Sequence, residues 1–329
     1  MGRRGGPQSA GGTGRLTPDI SPESPEERGR RARRSRTSAR RRLERLRPGA
    51  RSWAVLKRVA VGVYSDGFIH AGNLAYLTLL TLFPFFIVMA ALARIFGRGE
   101  DSRLAVASFL DTVPPSVAEL LAKPIEDVLA ARTGSLLWLG ALVGLWSVGS
   151  FVETIRDILR RAYGTKASRA FYHYRIGAAF ITIGSVILVL VAFSAQVALT
   201  AAEQFIYRLL PFASEVAAWI GISRLAPAAV MFGALFALFY TLTPMRYRVA
   251  PRAPKWPGPA FVTAWWSLTT VALPWVLAQL GGYDRTYGSL AGVIVTLIFF
   301  YLIGLGVVIA AHLNAALAEA PDAPSKEAA

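Results

Sequence analysis

Six long apolar runs dominate the chain between residues 74 and 311, and charged, glycine and proline residues collect between them. The runs cover residues 74–96, 136–152, 176–199, 225–243, 260–280 and 290–311. At about 1.5 Å per residue, a helix made from each run reaches roughly the 30 Å of a hydrocarbon core, the second and fourth only just. This pattern predicts an all-α polytopic membrane protein, folded as a bundle of six transmembrane helices.

Amphipathic segments lie beside these runs. Apolar positions recur at helical spacing across residues 53–63, which predicts a short interfacial helix or, alternatively, a cytoplasmic extension of the first span. The segments 104–110, 117–129 and 203–220 also place apolar residues on one face, and Pro124 interrupts the second of them. We expect these outer segments to form short helices that cap the bundle or lie on the outer leaflet.

Large apolar side chains are almost absent from the first 52 residues, which contain mainly Gly, Pro, Ser and Arg. Such a segment cannot bury enough apolar surface to offset the entropy of ordering. The pattern therefore predicts three parts: a disordered, basic cytoplasmic tail over 1–52, a six-span membrane domain over 53–313, and a short cytoplasmic tail over 314–329.

Basic residues alternate between the connecting segments. Seventeen Lys and Arg precede the first span, and the next connectors carry four, six, two, four and one. The connector with six has only two acidic residues, whereas the one before it has six. Because basic loops remain in the cytoplasm, this alternation predicts six spans with both termini on the cytoplasmic side of the cell membrane.

The net charge of +16 adds candidate partners. Basic residues near a membrane gain about 1 kcal/mol each from anionic lipid, so we expect the N-terminal tail to bind anionic lipids. Nucleic acid is not expected there, because the tail lacks aromatic side chains that stack on bases. The chain has no cysteine, which excludes disulfides and thiolate metal sites, and no motif indicates a cofactor.

Polar groups at the cytoplasmic ends of the spans are the first candidate site. We expect them to gather at the inner mouth of the bundle as a gate or substrate site. The candidates are Asn73, Glu153, Arg156, His312 and Asn314. The alternative is a structural role, since polar groups at helix ends reach water without difficulty.

The fifth span is the most polar and is the second candidate site. Its hydroxyl residues Thr263, Ser267, Thr269 and Thr270 would line a cavity, or would bond to backbone carbonyls in a packed helix. In the first span, Pro84 leaves the carbonyl of residue 80 without its helical donor, which predicts a kink. Two pairs of small residues predict close helix packing: Gly140 with Gly144, and Gly288 with Gly292.

Four motifs give the chain a family resemblance. They are Asn73-Leu-Ala-Tyr76 with Phe83-Pro84-Phe85; Trp146 with Glu153-Thr-Ile-Arg156 and Ala162-Tyr163-Gly164; Pro251 with Trp256; and Tyr283 with Tyr287-Gly288-Ser289-Leu290. In this order and spacing, across residues 53–316, they resemble the YihY/virulence factor BrkB family of bacterial inner-membrane proteins. The resemblance implies a six-span bundle of the cytoplasmic membrane.

The resemblance also brings a ribonuclease label and one departure. The family usually reads Gly-Ala-Glu near the end of the last span, where this chain has His312 in place of the acid. A nuclease needs metal ligands or an acid–base pair placed together. The three histidines His70, His173 and His312 lie far apart in sequence, without the spacing of a metal-dependent hydrolase.

These observations favour a membrane protein that is not an enzyme. The leading hypothesis is a transporter, or a protein that handles a lipid or small solute, in the bacterial cell envelope. The second hypothesis is a scaffold that organises partners or lipid without transport, and the third is a ribonuclease. The sequence identifies neither the substrate nor the oligomeric state.

Overall fold

The computed structural model describes most of the chain as helices joined by short turns. The described residues are 21–34, 50–95, 106–107, 109–131, 135–165, 176–177, 179–180, 182–184, 222–251, 253–279 and 288–319. Within these ranges no strand is present. Most of the predicted third span, the outer segment 203–220 and His173 lie outside them.

The helices are named in chain order. They are α1 (Pro25–Arg34), α2 (Ala50–Gly62), α3 (Phe68–Ile95), α4 (Pro115–Ala131), α5 (Ser135–Tyr163), α6 (Ile222–Leu242), α7 (Met245–Arg248), α8 (Pro257–Gln279) and α9 (Ala291–Leu317). A π-helical turn, Val63–Gly67, joins α2 to α3 without a break, and a 3₁₀ turn, Gly288–Leu290, precedes α9. A helix over residues 53–63 is therefore confirmed, and its continuity with α3 matches the alternative of an extension of the first span rather than a separate interfacial helix.

Four helices are long and apolar enough to cross a membrane. By length and composition these segments are Phe68–Met89, Trp138–Tyr163, Pro257–Gln279 and Ala291–Leu317. They correspond to the predicted first, second, fifth and sixth spans. The predicted fourth span falls in α6, whose apolar part, Ala228–Leu242, is shorter. The described residues thus support a multi-pass membrane protein, while the count of six spans stays a prediction.

Helix α9 is the central element and packs against α2, α3, α4, α5 and α8. Glycine permits its close approach to α3, since a Cβ at Gly304 would come within 2.8 Å of the Ala71 carbonyl oxygen. Helices α3 and α5 meet in the same way, because a Cβ at Gly144 would lie 2.8 Å from the Pro84 carbonyl oxygen. The predicted packing role of Gly144 is confirmed, and the backbone it meets is the proline turn of the first span.

The core has two parts, one at each end of the bundle. In the first part, Val117, Leu121 and Ile125 form the buried face of α4 and pack among residues of α3 and α9. Helix α4 therefore caps the bundle, as predicted. It starts at Pro115, a position where proline costs no hydrogen bond, and continues through Pro124, so the predicted interruption there is wrong.

The second part of the core joins the ends of α5 and α9 to α6 and α7. The fully buried rings of Tyr163 and Tyr247 lie with their centroids 4.7 Å apart. Helix α1 also docks at this end, so the predicted disorder of 1–52 is wrong for residues 21–34. The physical reason is hydrogen bonding rather than apolar burial, because polar side chains of α1 satisfy backbone groups of the bundle.

Candidate functional site: a polar cleft between two spanning helices

A polar cleft of about 400 Å³ opens between α3 and α5 at the end of the bundle where α1 docks. Its lining residues come from the first two turns of α3 and the last turns of α5: His70, Asn73, Ser150, Glu153, Thr154, Asp157 and Arg160. Pockets of about 300–1,000 Å³ are the usual size for small ligands. The cleft thus combines carboxylates, a guanidinium, an imidazole, an amide and hydroxyl groups in a volume that fits a small ligand.

Helical spacing explains why these side chains share a wall. On α5 the lining positions are 150, 153, 154, 157 and 160, and each has another lining position three or four residues away, so they form a single stripe. On α3, His70 and Asn73 are three residues apart. The hydroxyls of Ser150 and Thr154 donate to the carbonyls four residues earlier, at 3.2 Å and 3.0 Å, so their donors are engaged within the helix.

Ion pairs fix the charged end of the stripe. The Asp157 carboxylate accepts from Arg160 at 2.8 Å and from Arg161 at 2.6 Å, and all three side chains are partly exposed. Two bases on one acid leave this end with an excess of positive charge. Glu153 lies one turn before Asp157 in α5 and is half-buried, so the cleft presents the Glu153 carboxylate together with the Arg160 guanidinium. We call the end of the stripe that holds Asp157 and Arg160 the rim of the cleft.

Two of the five predicted inner-mouth residues line the cleft. Asn73 is exposed on α3 and Glu153 is half-buried on α5, and both contribute to its wall. Arg156 lies on α5 beside the cleft, and its guanidinium approaches Gly177, where a Cβ would be 3.9 Å away. The structure therefore brings Asn73 and Glu153 together at the cleft, whereas Arg156 is not among the lining residues.

The α9 members of the set lie elsewhere. His312 is buried where α9 crosses the end of α2, against Gly62. Asn314 is 1% exposed, and its side-chain oxygen accepts from the Gly258 N–H at 2.8 Å while its amide donates to the Lys255 carbonyl at 3.1 Å. Asn314 thus ties the end of α9 to the start of α8.

The predicted polar residues of α8 bond to backbone. Thr263, Ser267 and Thr269 each donate to the carbonyl four residues earlier. Thr270 does the same and also donates at 3.0 Å to the carbonyl of Thr112, which lies just before α4. None of the four contributes to the wall of the cleft between α3 and α5. Their hydrogen bonds match the packing alternative that the sequence left open.

Sequence reasoning missed five of the lining residues as site members. They are His70, Ser150, Thr154, Asp157 and Arg160. A signal was present, because polar positions every three or four residues in an otherwise apolar helix indicate a polar stripe. Among the described residues no group of three or more His, Asp or Glu side chains is placed to hold a metal ion.

The long apolar helices and the cleft at their end define a multi-pass α-helical membrane protein. A family model described as Virulence factor BrkB matches residues 64–329. The chain therefore belongs to the virulence factor BrkB family, as the sequence motifs predicted.

Curated relatives cover most of this chain. A ribonuclease-like protein YfkH of Bacillus subtilis is 30% identical over 259 residues, which are 77% of this chain and 90% of the relative. A UPF0761 membrane protein of Pseudoalteromonas translucida is 27% identical over 76% of this chain and 80% of its own length. A UPF0761 membrane protein of Aeromonas salmonicida is 26% identical over 79% and 87%. No solved structure matches the chain.

Proposed function

We propose that this protein binds a polar lipid headgroup or a small zwitterionic solute at the cleft between α3 and α5, and that it acts as a transporter or lipid-handling protein. The observation that carries the proposal is the lining of the cleft. Glu153 offers a carboxylate and Arg160 a guanidinium, while Asn73 can donate and accept hydrogen bonds. A ligand that bears both signs of charge satisfies such a wall better than an apolar or singly charged one.

The cleft proposal predicts a loss of function without a loss of folding. Comparing the lipid and metabolite content of a deletion strain with its parent identifies the affected compound. We expect Asn73→Ala and Glu153→Gln to fail to restore that content at equal protein levels. Loss of a neutral or a charged hydrogen bond costs about 1 and about 2 kcal/mol respectively, which lowers affinity by roughly fivefold to thirtyfold.

The matched control is Ser267→Ala, which removes an exposed hydroxyl that bonds only to its own helix, at the Thr263 carbonyl. It should restore the content fully. Full rescue by both cleft variants as well would contradict the proposal. That result would favour the scaffold function, for which the close packing of α3, α5 and α9 is the supporting observation.

The proposal assigns no catalytic step. The name of the Bacillus subtilis relative suggests a ribonuclease activity for that protein. In this chain the Asp157 carboxylate is bound by two arginines, which does not favour a role as a general base or a metal ligand. Metal-dependent turnover of RNA by the purified protein, lost in Asp157→Asn, would overturn this part of the proposal.

We further propose that the α1 end of the bundle faces the cytoplasm, where the basic N-terminal residues meet anionic lipid. The chain lacks cysteine, so single-cysteine variants report orientation directly. Arg30 on α1 and Glu119 on α4 are both exposed and lie at opposite ends. In spheroplasts, an impermeant maleimide should label Glu119→Cys at once and Arg30→Cys only after permeabilisation. The reverse order would contradict the proposed orientation.

A further inference from the structure

Helix α1 is attached to the end of α9 by one arginine. The Arg28 guanidinium donates to the carbonyls of Ala315 at 2.9 Å, Ala316 at 3.1 Å and Ala318 at 2.9 Å. The carbonyls of Ala315 and Ala316 belong to the last turn of α9, and that of Ala318 follows it; carbonyls at this end have no donor within the helix. A cation at this position also interacts favourably with the negative end of the helix dipole. Arg28 therefore caps α9 from a segment 288 residues away in sequence.

A second contact joins α1 to α7. The Glu26 carboxylate accepts from Tyr247 at 2.8 Å and from Arg246 at 2.9 Å. Burial, and then the neighbouring Glu26 carboxylate, raise the pKa of the Tyr247 phenol, so it stays protonated and able to donate. The buried Tyr247 ring thus presents its hydroxyl to α1.

The third contact joins the turn before α1, residues 21–24, to the end of α5. This helix ends in a Schellman motif, with Gly164 at φ 75° and the Thr165 N–H bonded to the Arg160 carbonyl at 2.9 Å. The buried Ser24 packs on Gly164, where a Cβ would come within 2.8 Å of the Ser24 Cβ. The Ser21 N–H donates to the Arg161 carbonyl at 3.2 Å.

This last turn of α5 also holds the rim of the cleft. The same Arg160 and Arg161 whose carbonyls meet Thr165 and Ser21 hold Asp157 with their side chains. The position of α1 and the position of the cleft rim are therefore linked through one helical turn.

The attachment of α1 carries an electrostatic cost. Burial, and then the guanidinium of Arg58, lower the pKa of Arg28 to about 10, so it remains charged at neutral pH but is less favourably solvated than in water. Arg58 donates to the same Ala316 carbonyl at 3.2 Å. The guanidinium groups of Arg28 and Arg58 thus donate to one carbonyl oxygen and repel each other. Hydrogen bonds favour the docked position of α1 while this repulsion opposes it, which suits a reversible contact.

We propose that α1 is a strap that closes the end of the bundle and controls access to the cleft by holding the last turn of α5. When the strap is docked, Asp157, Arg160 and Arg161 keep the rim in place. When it leaves, the turn loses the contacts of Ser21 and Ser24, and the cleft widens. The family model begins at residue 64, so the strap is a feature of this chain outside the matched region.

Thiol labelling of the full-length protein in nanodiscs tests the docked state, because the chain has no cysteine of its own. Ser24, directly before α1, is 1% exposed, so Ser24→Cys should react slowly with a maleimide, while Arg30→Cys at an exposed position of α1 should react fast. Adding Arg28→Ala should accelerate labelling of Ser24→Cys at least about tenfold, since tenfold equals only about 1.4 kcal/mol. Glu26→Gln should accelerate it less, and Arg30→Ala should leave it unchanged.

A second thiol reports the cleft. Thr154→Cys lies in the cleft wall, and its labelling should also accelerate in the Arg28→Ala background. Val88→Cys, buried in the first part of the core, should stay protected from the maleimide in every background. This readout needs no ligand, so its failure is distinguishable from failure of the proposed function.

Three results would overturn the strap. Ser24→Cys that reacts as fast as Arg30→Cys would show that α1 is not docked. Released Ser24 with unchanged Thr154→Cys labelling would show that the strap does not control the cleft. Exposure of Val88→Cys together with Ser24→Cys would show that α1 is part of the folding core rather than a movable element.

Discussion

Replacement of Gly304 by valine should destabilise the bundle more than any other substitution considered for this protein. A Cβ at this position would come within 2.8 Å of the Ala71 carbonyl oxygen and 3.1 Å of the Leu74 Cβ. The nearest atom is backbone of α3 and cannot rotate away, so the two helices must separate. Overpacking a close-packed core typically costs about 1–3 kcal/mol and occasionally more, and we expect valine to cost at least about 3 kcal/mol.

The same substitution at Gly233 is the matched control. Gly233 lies inside α6 with no neighbouring atom within 4 Å of an added Cβ, and valine has a better helix propensity than glycine. Thermal unfolding of both variants in one detergent, followed by fluorescence-detected size exclusion, checks the prediction. Gly304→Val should unfold well below the parent and Gly233→Val at or slightly above it. Equal unfolding temperatures would mean that α3 and α9 do not meet at Gly304.

The spans could be predicted because their signal is local. A run of apolar residues long enough to cross a bilayer forms a helix whatever its neighbours are. At four of the predicted spans the structure has helices that are long and apolar enough to cross a membrane, and most of their ends agree with the prediction within a few residues. The largest difference is at the second span, which was predicted to end at residue 152 and extends as a helix to Tyr163. The last four turns of this helix carry the polar stripe, so hydropathy alone places the end of the helix too early.

Docking of α1 could not be predicted, because its contacts join residues that are far apart in sequence. Arg28 is one of many arginines in the N-terminal segment, and nothing local distinguishes it from Arg30, which is exposed. Its partners are backbone carbonyls of α9, and a carbonyl leaves no mark in the sequence. Within the described residues 21–34 the structure has few buried apolar side chains, as the low apolar content predicts. Low apolar content did not exclude a helix held by hydrogen bonds.

The candidate site shows the same limit for side-chain direction. Asn73, Glu153 and Asn314 were selected by one rule, since polar residues in membrane helices are costly. Asn73 and Glu153 face the cleft, whereas Asn314 faces the start of α8. The rotation of each helix about its axis decides between these roles, and packing of small residues such as Gly304 sets that rotation. A sequence rule finds the residues but not the direction in which they point.

Replacement by alanine should consequently lower the unfolding free energy at Asn314 and leave it almost unchanged at Asn73. Asn314→Ala leaves the buried Gly258 N–H without its acceptor and the Lys255 carbonyl without its donor. An unsatisfied buried donor costs about 1–3 kcal/mol, so with the second lost bond we expect a loss of about 3 kcal/mol in unfolding free energy. Asn73→Ala removes an exposed amide, and its effect on stability should stay within about 0.5 kcal/mol.

Asn314→Asp distinguishes a lost hydrogen bond from lost volume. It keeps an oxygen for the Gly258 N–H near the start of α8, where a negative charge is favourable, but it removes the donor to Lys255 and buries a charge near the end of α9. Its unfolding temperature should fall between those of the parent and Asn314→Ala. Cellular rescue should follow the unfolding temperature for the Asn314 variants and depart from it for Asn73→Ala, which should fold normally and still fail. If Asn314→Ala unfolds at the same temperature as the parent, the hydrogen bonds that join α8 to α9 through Asn314 contribute nothing to stability.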